Sequence, residues 1–290
     1  MVIDSIRSPA LRWQSRLLLI VTIVSVSFSL VFPWIVALWR SSLASRTVLT
    51  GAAIGGAFGL LVWLLRAATP PAAVTGALLT LEFYLAAPGR RTLLWPLLAL
   101  FLLTFAATRF GRARKEELNV AEERKGRTAA QVVANLGVAA MVSIPLGAAH
   151  LMVIFSSLGI RPFLIASIAS LAEATADTLS SELGEVLGGE PILLTTLRRV
   201  PAGTDGAISL AGTLAGCAGA AVIALIAMAA LPLSLPEVLI AFAAGVFGLF
   251  FDSLLGATLE RRGWLNNDAV NFLSTCAAAA CGALISAAIS

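Results

Sequence analysis

Four acidic residues lie in stretches that are otherwise apolar: Glu173, Asp177 and Glu182 within 162–183, and Asp252 within 236–258. A carboxylate at the centre of a membrane helix costs about 2.5–3.5 kcal/mol on insertion scales. A chain carrying four such groups must pair them or use them. In the tract Ala172–Gly184, Asp177 and Ser181 are one helical turn apart, and so are Thr178 and Glu182, which gives a polar stripe towards a bundle interior. Asp252 is followed by Ser253, Gly256, Ala257 and Thr258, small residues that would let a bulky ligand approach the backbone. Hard oxygen donors on neighbouring helices suit Mg²⁺, which takes one or two protein carboxylates and completes its shell with phosphate oxygens and water. The same carboxylates could instead carry protons or Na⁺ in a transporter, or pair with basic loop residues and only fix the bundle.

Other polar groups recur at the same depth. Arg127, Gln131 and Asn135 follow one another every four residues, hence on one helix face, and Asn267 and Asn271 do the same. Asn267 serves equally well as a helix cap. The stretch Arg198-Arg199-Val200-Pro201-Ala202-Gly203-Thr204-Asp205-Gly206 leads into an apolar segment. A glycine-rich backbone at a helix N-terminus offers free N–H groups to an anion. It is not a Walker A loop, since GxxxxGK[ST] occurs nowhere. Gly212, Gly216 and Gly219 read as helix-packing positions. Asp177-Thr178-Leu179 and Asp252-Ser253-Leu254 echo each other weakly, as a parallel repeat would.

The elements that position these groups are membrane helices. The 290 residues are 59% hydrophobic and only 12% charged, with a mean hydropathy of +0.93. Soluble domains carry about 25% charged residues, so a soluble enzyme, a disordered chain and a fibrous one are all excluded. The fold expected is all-α, a polytopic transmembrane bundle of about nine spans near 17–39, 48–66, 71–87, 92–108, 129–158, 162–183, 207–231, 236–258 and 269–289. The fifth, with Pro145, is expected to kink or break. Arg7, Arg12 and Arg16 precede the first run, which is too long for a signal-peptide core and lacks a small-residue cleavage site, so it reads as a retained helix.

A cytoplasmic N-terminus puts 15 of the 20 Lys and Arg inside, among them Arg66, Arg109 to Arg127 with Arg124 and Lys125, Arg198, Arg199, Arg261 and Arg262. The polar connections 109–128 and 184–206 are then cytoplasmic, and neither can hold a soluble domain. Without an aromatic-interleaved basic tract, the net charge of +4 reports topology and no nucleic-acid partner. Cys217, Cys276 and Cys281 lack CxxC spacing and read as packing residues, and His150, the only histidine, as structural.

These tracts together resemble one family, the integral-membrane proteins typified by plant and cyanobacterial phytyl-phosphate kinase and related to animal transmembrane protein 19. The matching stretches are Lys115–Leu118, Gly126–Asn135, Ala176–Gly184, Val200–Thr204, Asp252–Thr258 and Asn266–Asn271, so the resemblance covers about 100–290. Leu179 and Glu260 depart from it, standing where a tryptophan and a glutamine are expected. The Asp-Ser tract followed by Glu260-Arg261-Arg262 also has a distant likeness to cytidylyltransferases of phospholipid synthesis.

The resemblance implies residues 1–100 as helices without assigned role and 101–290 as a catalytic membrane domain. It implies transfer of a phosphoryl group from CTP or another nucleoside triphosphate to an isoprenoid monophosphate, such as phytyl phosphate in tocopherol synthesis. The setting is a bacterial inner membrane with a cytoplasm-facing site, in contact with membrane lipids. On this reading Asp177 and Asp252 hold Mg²⁺, with Glu182 as a further ligand. Lys115, Arg127, Arg198 and Arg199 contact phosphate, while Gln131, Asn135 and Asn271 orient nucleotide or phosphate. Gly203, Thr204, Thr178, Ser181, Ser253 and Asn267 complete the nucleotide and phosphate site. The competing class is a proton- or cation-coupled transporter using Asp177 and Asp252. The sequence leaves the oligomeric state open.

Overall fold

A computed structural model describes residues 11–40, 42–118, 126–152 and 159–289. Arg7, Arg124 and Lys125, and the last part of the fifth expected segment, lie outside the described residues. The chain is an all-α membrane protein, and each expected span has a helix: α1 (Arg12–Arg40), α2 (Ser42–Leu64), α3 (Pro70–Ala86), α4 (Leu94–Arg109), α6 (Ala129–Met152), α7 (Arg161–Leu187), α8 (Leu210–Ala230), α9 (Leu235–Leu255) and α10 (Asn267–Ile289). A short α5 (Arg112–Glu117) follows α4, and a π-helical turn, Gly256–Glu260, extends α9. The connection before α8 holds a two-stranded hairpin, β1 (Ile192–Leu193) paired antiparallel with β2 (Ala207–Ile208). Six of the helices are long and apolar enough to cross a membrane by length and composition alone. At Pro145, where a kink or a break was expected, α6 is not broken and continues as one helix.

The acids of α7 are tolerable because α7 is the axis of the bundle. It packs against α4, α6, α8, α9 and α10, and Ile165–Ala176 is buried throughout. Glu173 therefore faces protein, where packing and dipoles replace the hydration that lipid would deny it. The outer helices present apolar side chains outward, as Phe28, Leu214 and Leu284 do. Close approach of α8 to α7 depends on the expected glycines. A Cβ at Gly212 would lie 2.5 Å from Ser180 O, and one at Gly216 2.8 Å from Ala176 O. Backbones this near leave no room for a side chain. One buried cluster joins Val26, Leu79, Phe83 and Leu93 to Leu171, Ile223 and Leu249, so the first four helices share the core of the rest.

Candidate functional site

Most of the polar positions singled out in the sequence converge at one end of the bundle on a cavity of about 270 Å³, though Glu173, Lys115, Arg198 and Arg199 are not among its lining residues. Arg127, Gln131 and Asn135 reach it from the start of α6, Asp177, Thr178, Ser181 and Glu182 from α7, Asp252 and Ser253 from the end of α9, and Asn267 and Asn271 from the start of α10. Gly203 and Thr204 close it from the loop before α8. Residues four apart along α6, α7 and α10, together with Asp252 and Ser253 of α9, form the walls of one chamber.

Hydroxyl groups in the walls donate backwards into their own helices. Thr178 Oγ1 donates to Ala174 O (3.0 Å), Ser181 Oγ to Asp177 O (3.0 Å) and Ser253 Oγ to Leu249 O (3.3 Å). With their protons engaged, these oxygens turn lone pairs outward, as acceptors or cation ligands. Asp252 is half-buried, and its Oδ2 is fully enclosed with no hydrogen-bond partner. Asp177, Glu173 and Glu260 lie near enough to act on it electrostatically, while Arg127 faces Asp177. With the nearby Ser274 hydroxyl donating to Asn271 O (2.9 Å), an enclosed carboxylate oxygen that has neighbouring carboxylates and no hydrogen bond of its own could take a cation.

Arg127 is held at its backbone. Its N–H donates to Ala67 O (2.9 Å), and its carbonyl accepts from Thr69 N (3.0 Å). Gly126 just before it has φ +80, and a Cβ there would lie 2.6 Å from Ala67 C. Gln131 accepts from Thr128 N through Oε1 (2.8 Å), and its own N–H donates to Thr128 Oγ1, a reciprocal cap. Asn135 Nδ2 donates to Gln131 O (2.8 Å), which fixes its amide. Of the neighbouring asparagines it is Asn266 that caps α10, its Oδ1 accepting from Ala269 N (2.9 Å) while Nδ2 donates to Leu11 O and Ser15 Oγ of α1. Asn267 is thereby left for the cavity.

Several expected placements differ. Lys115 does not reach the cavity as a phosphate contact. It is 1% exposed, and its ammonium donates to Glu182 Oε2, to Ala107 O (2.8 Å) and to Thr108 O (3.4 Å). The other oxygen of Glu182 accepts from Thr108 Oγ1 (2.9 Å), so Glu182 lines the cavity with both oxygens already partnered. Arg198 and Arg199 are exposed on the hairpin, outside the cavity wall, and Arg199 pairs with Glu190 at 3.5 Å. At the anion site expected before α8, part of the backbone is engaged by the chain itself. Ser209 caps that helix by accepting from Gly212 N (3.1 Å), and inside the loop Thr204 N donates to Pro201 O and Ala207 N to Thr204 O.

Nor are the small residues after Asp252 a ligand platform. Gly206, with φ +71, sits on them so closely that its Cβ would lie 2.0 Å from Ala257 N, and Gly256 faces Gly206 N. The π-helical turn widens the end of α9 where the loop docks, as such turns do at functional sites. Gly206→Ala should therefore undock residues 201–206 from α9. The expected result is faster proteolytic cutting in this loop and at least a tenfold loss of ligand binding, whereas unchanged cutting would show that the contact can yield.

The cavity also has walls assigned no role from the sequence: Ser180, Glu185, Asp205, Ser209 and Glu260, the last noted only as a departure from the family pattern. Burial pushes the Asp205 carboxyl above its ordinary range, with Arg261 opposing the shift. Asp205 stood within a tract already marked for its glycines, and only its neighbours drew attention. His150 bonds through Nδ1 to Leu146 O (2.9 Å) and is not among the residues lining the cavity. The three cysteines are free and half-buried. Among the described residues no three His, Cys, Asp or Glu side chains form a metal-holding group.

Comparison with known proteins identifies the family. The family described as Integral membrane protein DUF92 matches residues 53–279. An uncharacterised membrane protein of Methanocaldococcus jannaschii is 39% identical over 189 residues, covering 65% of this chain and 74% of that one. An uncharacterised membrane protein of Synechocystis is 30% identical over 261 residues, covering 85% and 89%. The chloroplast Protein VTE6 of Arabidopsis thaliana is 34% identical over 185 residues, covering 61% of this chain and 53% of its own. No solved structure matches. The chain belongs to the integral membrane protein family DUF92.

Proposed function

We propose that this membrane protein is a nucleotide-dependent kinase that converts an isoprenoid monophosphate to its diphosphate. The observation that carries the reading is the convergence of Asp177, Asp252, Arg127, Gln131, Asn135 and Asn271 on one open cavity beside an apolar cleft. The likeness to Protein VTE6 and the resemblance to phytyl-phosphate kinases support it. The cavity faces the cytoplasm, where nucleotide is available, in accord with the excess of Lys and Arg in the loops at that end.

The acceptor is already an anion, so the reaction needs no general base. An oxygen of the lipid phosphate attacks the terminal phosphorus of the nucleotide. The bond to the bridging oxygen breaks, the nucleoside diphosphate leaves with that electron pair, and no proton has to move. What remains for the protein is alignment and neutralisation of charge. Arg127 offers a guanidinium to phosphate oxygens. The amides of Gln131, Asn135 and Asn271 offer donors and acceptors from two further directions. Hydroxyls of Thr178, Ser181 and Ser253 offer acceptors, and Gly203 and Thr204 close the chamber over the nucleotide.

The enclosed, unpartnered oxygen of Asp252, with Asp177 nearby, fits a hard divalent cation. Two carboxylates on separate helices are what Mg²⁺ takes when phosphates supply its remaining ligands. When bound, Mg²⁺ would neutralise the triphosphate oxygens. A proton- or cation-coupled transporter would use the same two aspartates but has no use for a nucleotide.

The test is to incubate purified protein with phytyl or geranylgeranyl monophosphate, Mg²⁺ and each nucleoside triphosphate in turn, following the lipid by mass spectrometry. Prenyl diphosphate should accumulate with one preferred donor, CTP being the first to try. Folded protein that yields no diphosphate with any donor, yet moves cations across liposomes without nucleotide, would turn the assignment to the transporter.

A further inference from the structure

Beside the polar chamber, between α2, α3, α4 and α6, runs an apolar cleft lined by Val62, Gly76, Leu97, Leu100, Phe101 and Leu136. It shares Arg127 and Asn135 with the chamber, so the two spaces meet at those residues. Arg66 and Arg109 stand at the same end, where α2 and α4 finish. The Arg109 guanidinium lies 3.4 Å from the Phe105 ring centroid and donates to Leu65 O (3.2 Å). Among the described residues it forms no ion pair, and neither does Arg66. Arg66 adopts φ 54, at the position after α2 where glycine is usual. Along α4, Leu97 lies about 18 Å from Arg109 at helical rise, so the cleft is deep and cationic only at its mouth. An apolar cleft of about 120 Å³ with guanidinium groups at its mouth suits one hydrocarbon chain with a phosphate at its end better than the two chains of a phospholipid.

We propose that this cleft binds the chain of the acceptor lipid phosphate, with the phosphate between Arg109 and Arg127 at the passage into the polar chamber. The assignment rests on the kinase reading for its choice of an isoprenoid chain. Chain length is then selected by the deep wall of Leu97, Leu100 and Gly76. Gly76 is the informative position, because a Cβ there meets nothing within 4 Å and a larger side chain enters the cleft without displacing the fold. Gly56 on α2 is also open, but it is exposed on the outside of the bundle and does not line the cleft, which makes it the control.

The experiment uses a diazirine-bearing phytyl monophosphate on the full-length protein in detergent, without nucleotide, and maps the labelled peptides. Label is expected on α3 and α4, displaced by farnesyl monophosphate and not by micelles carrying phosphatidylglycerol. Gly76→Leu should cut labelling at least tenfold and raise KM for phytyl phosphate by a similar factor, with KM for nucleotide unchanged. Gly76→Ala should fall between, and Gly56→Leu should match the parent. Label on other helices, equal displacement by phosphatidylglycerol, or unchanged labelling in Gly76→Leu would each overturn the proposal. If label maps to the cleft while no nucleotide yields diphosphate, the kinase reading fails and the cleft remains a lipid-phosphate site. Turnover with Gly76→Leu at parental KM would do the reverse.

Discussion

Asp252→Asn and Asp177→Asn should each reduce prenyl-phosphate phosphorylation by at least 10²–10³-fold while leaving the folded protein intact, or even raising its melting temperature. Asparagine keeps the shape of aspartate and removes its charge. Loss of one preorganised electrostatic contact at a reacting phosphate or carbonyl costs about 10²–10³-fold, and these two carboxylates are the cavity groups best placed to neutralise a cation with its nucleotide. Stability should respond in the opposite direction. Asp252 is enclosed with an unpartnered oxygen, and Asp177, Glu173 and Glu260 are the charges acting on it. Without ligands, burying carboxylates side by side is unfavourable however their protons are shared, so replacing one with a neutral amide should relieve part of that cost. The measurement is a pair of thermal unfolding curves with and without Mg²⁺ and nucleotide, taken beside the activity. Parent protein should be stabilised by the ligands and the variants should not. Variants that remain active, or that melt many degrees below the parent without ligand, would reduce the two aspartates to bundle-fixing groups.

How much of this was legible follows from what a membrane imposes. A helix must satisfy its own backbone in lipid, so the long helices of the described residues show in the sequence as apolar runs; most of their limits agree with the structure to within about four residues, while α1 and α2 begin five and six residues earlier than expected. The same constraint makes polar residues conspicuous, and the four-residue spacing of Arg127, Gln131 and Asn135 already declared a common face. Side-chain direction was beyond reach. Asn266 and Asn267 are the same residue type at adjacent positions, and only the path of α1 over the start of α10 decides that the first is the cap. Contacts between remote segments were equally hidden. Nothing local announces that Gly206 will lie against Ala257, and the small residues of both tracts read as ligand space when they are in fact filled by chain. The contribution of α2–α4 to a cleft beside the chamber was invisible for the same reason, since their apolar residues look alike whether they face lipid or a cavity.

The ion pair of Lys115 with Glu182, 67 residues apart, is the contact whose disruption should most affect folding. Lys115 is 1% exposed, and its donors go to Glu182 and the carbonyls of Ala107 and Thr108, which ties α5 back to the end of α4 and to α7. Lys115→Met should therefore cost about 3–5 kcal/mol, because it leaves a buried carboxylate with only Thr108 for a partner. The double variant Lys115→Met, Glu182→Met should recover most of that loss, since two apolar side chains of similar volume can fill the site left by a buried pair with little net change. Stability is read from denaturant unfolding in micelles, and activity separates the roles. If Glu182 only anchors Lys115, the double variant regains turnover along with its fold. If Glu182 contributes to cation binding, the double variant folds and binds lipid phosphate but needs far more Mg²⁺ for activity. A Lys115→Met protein of parental stability but without turnover would overturn the anchoring role and return Lys115 to the phosphates.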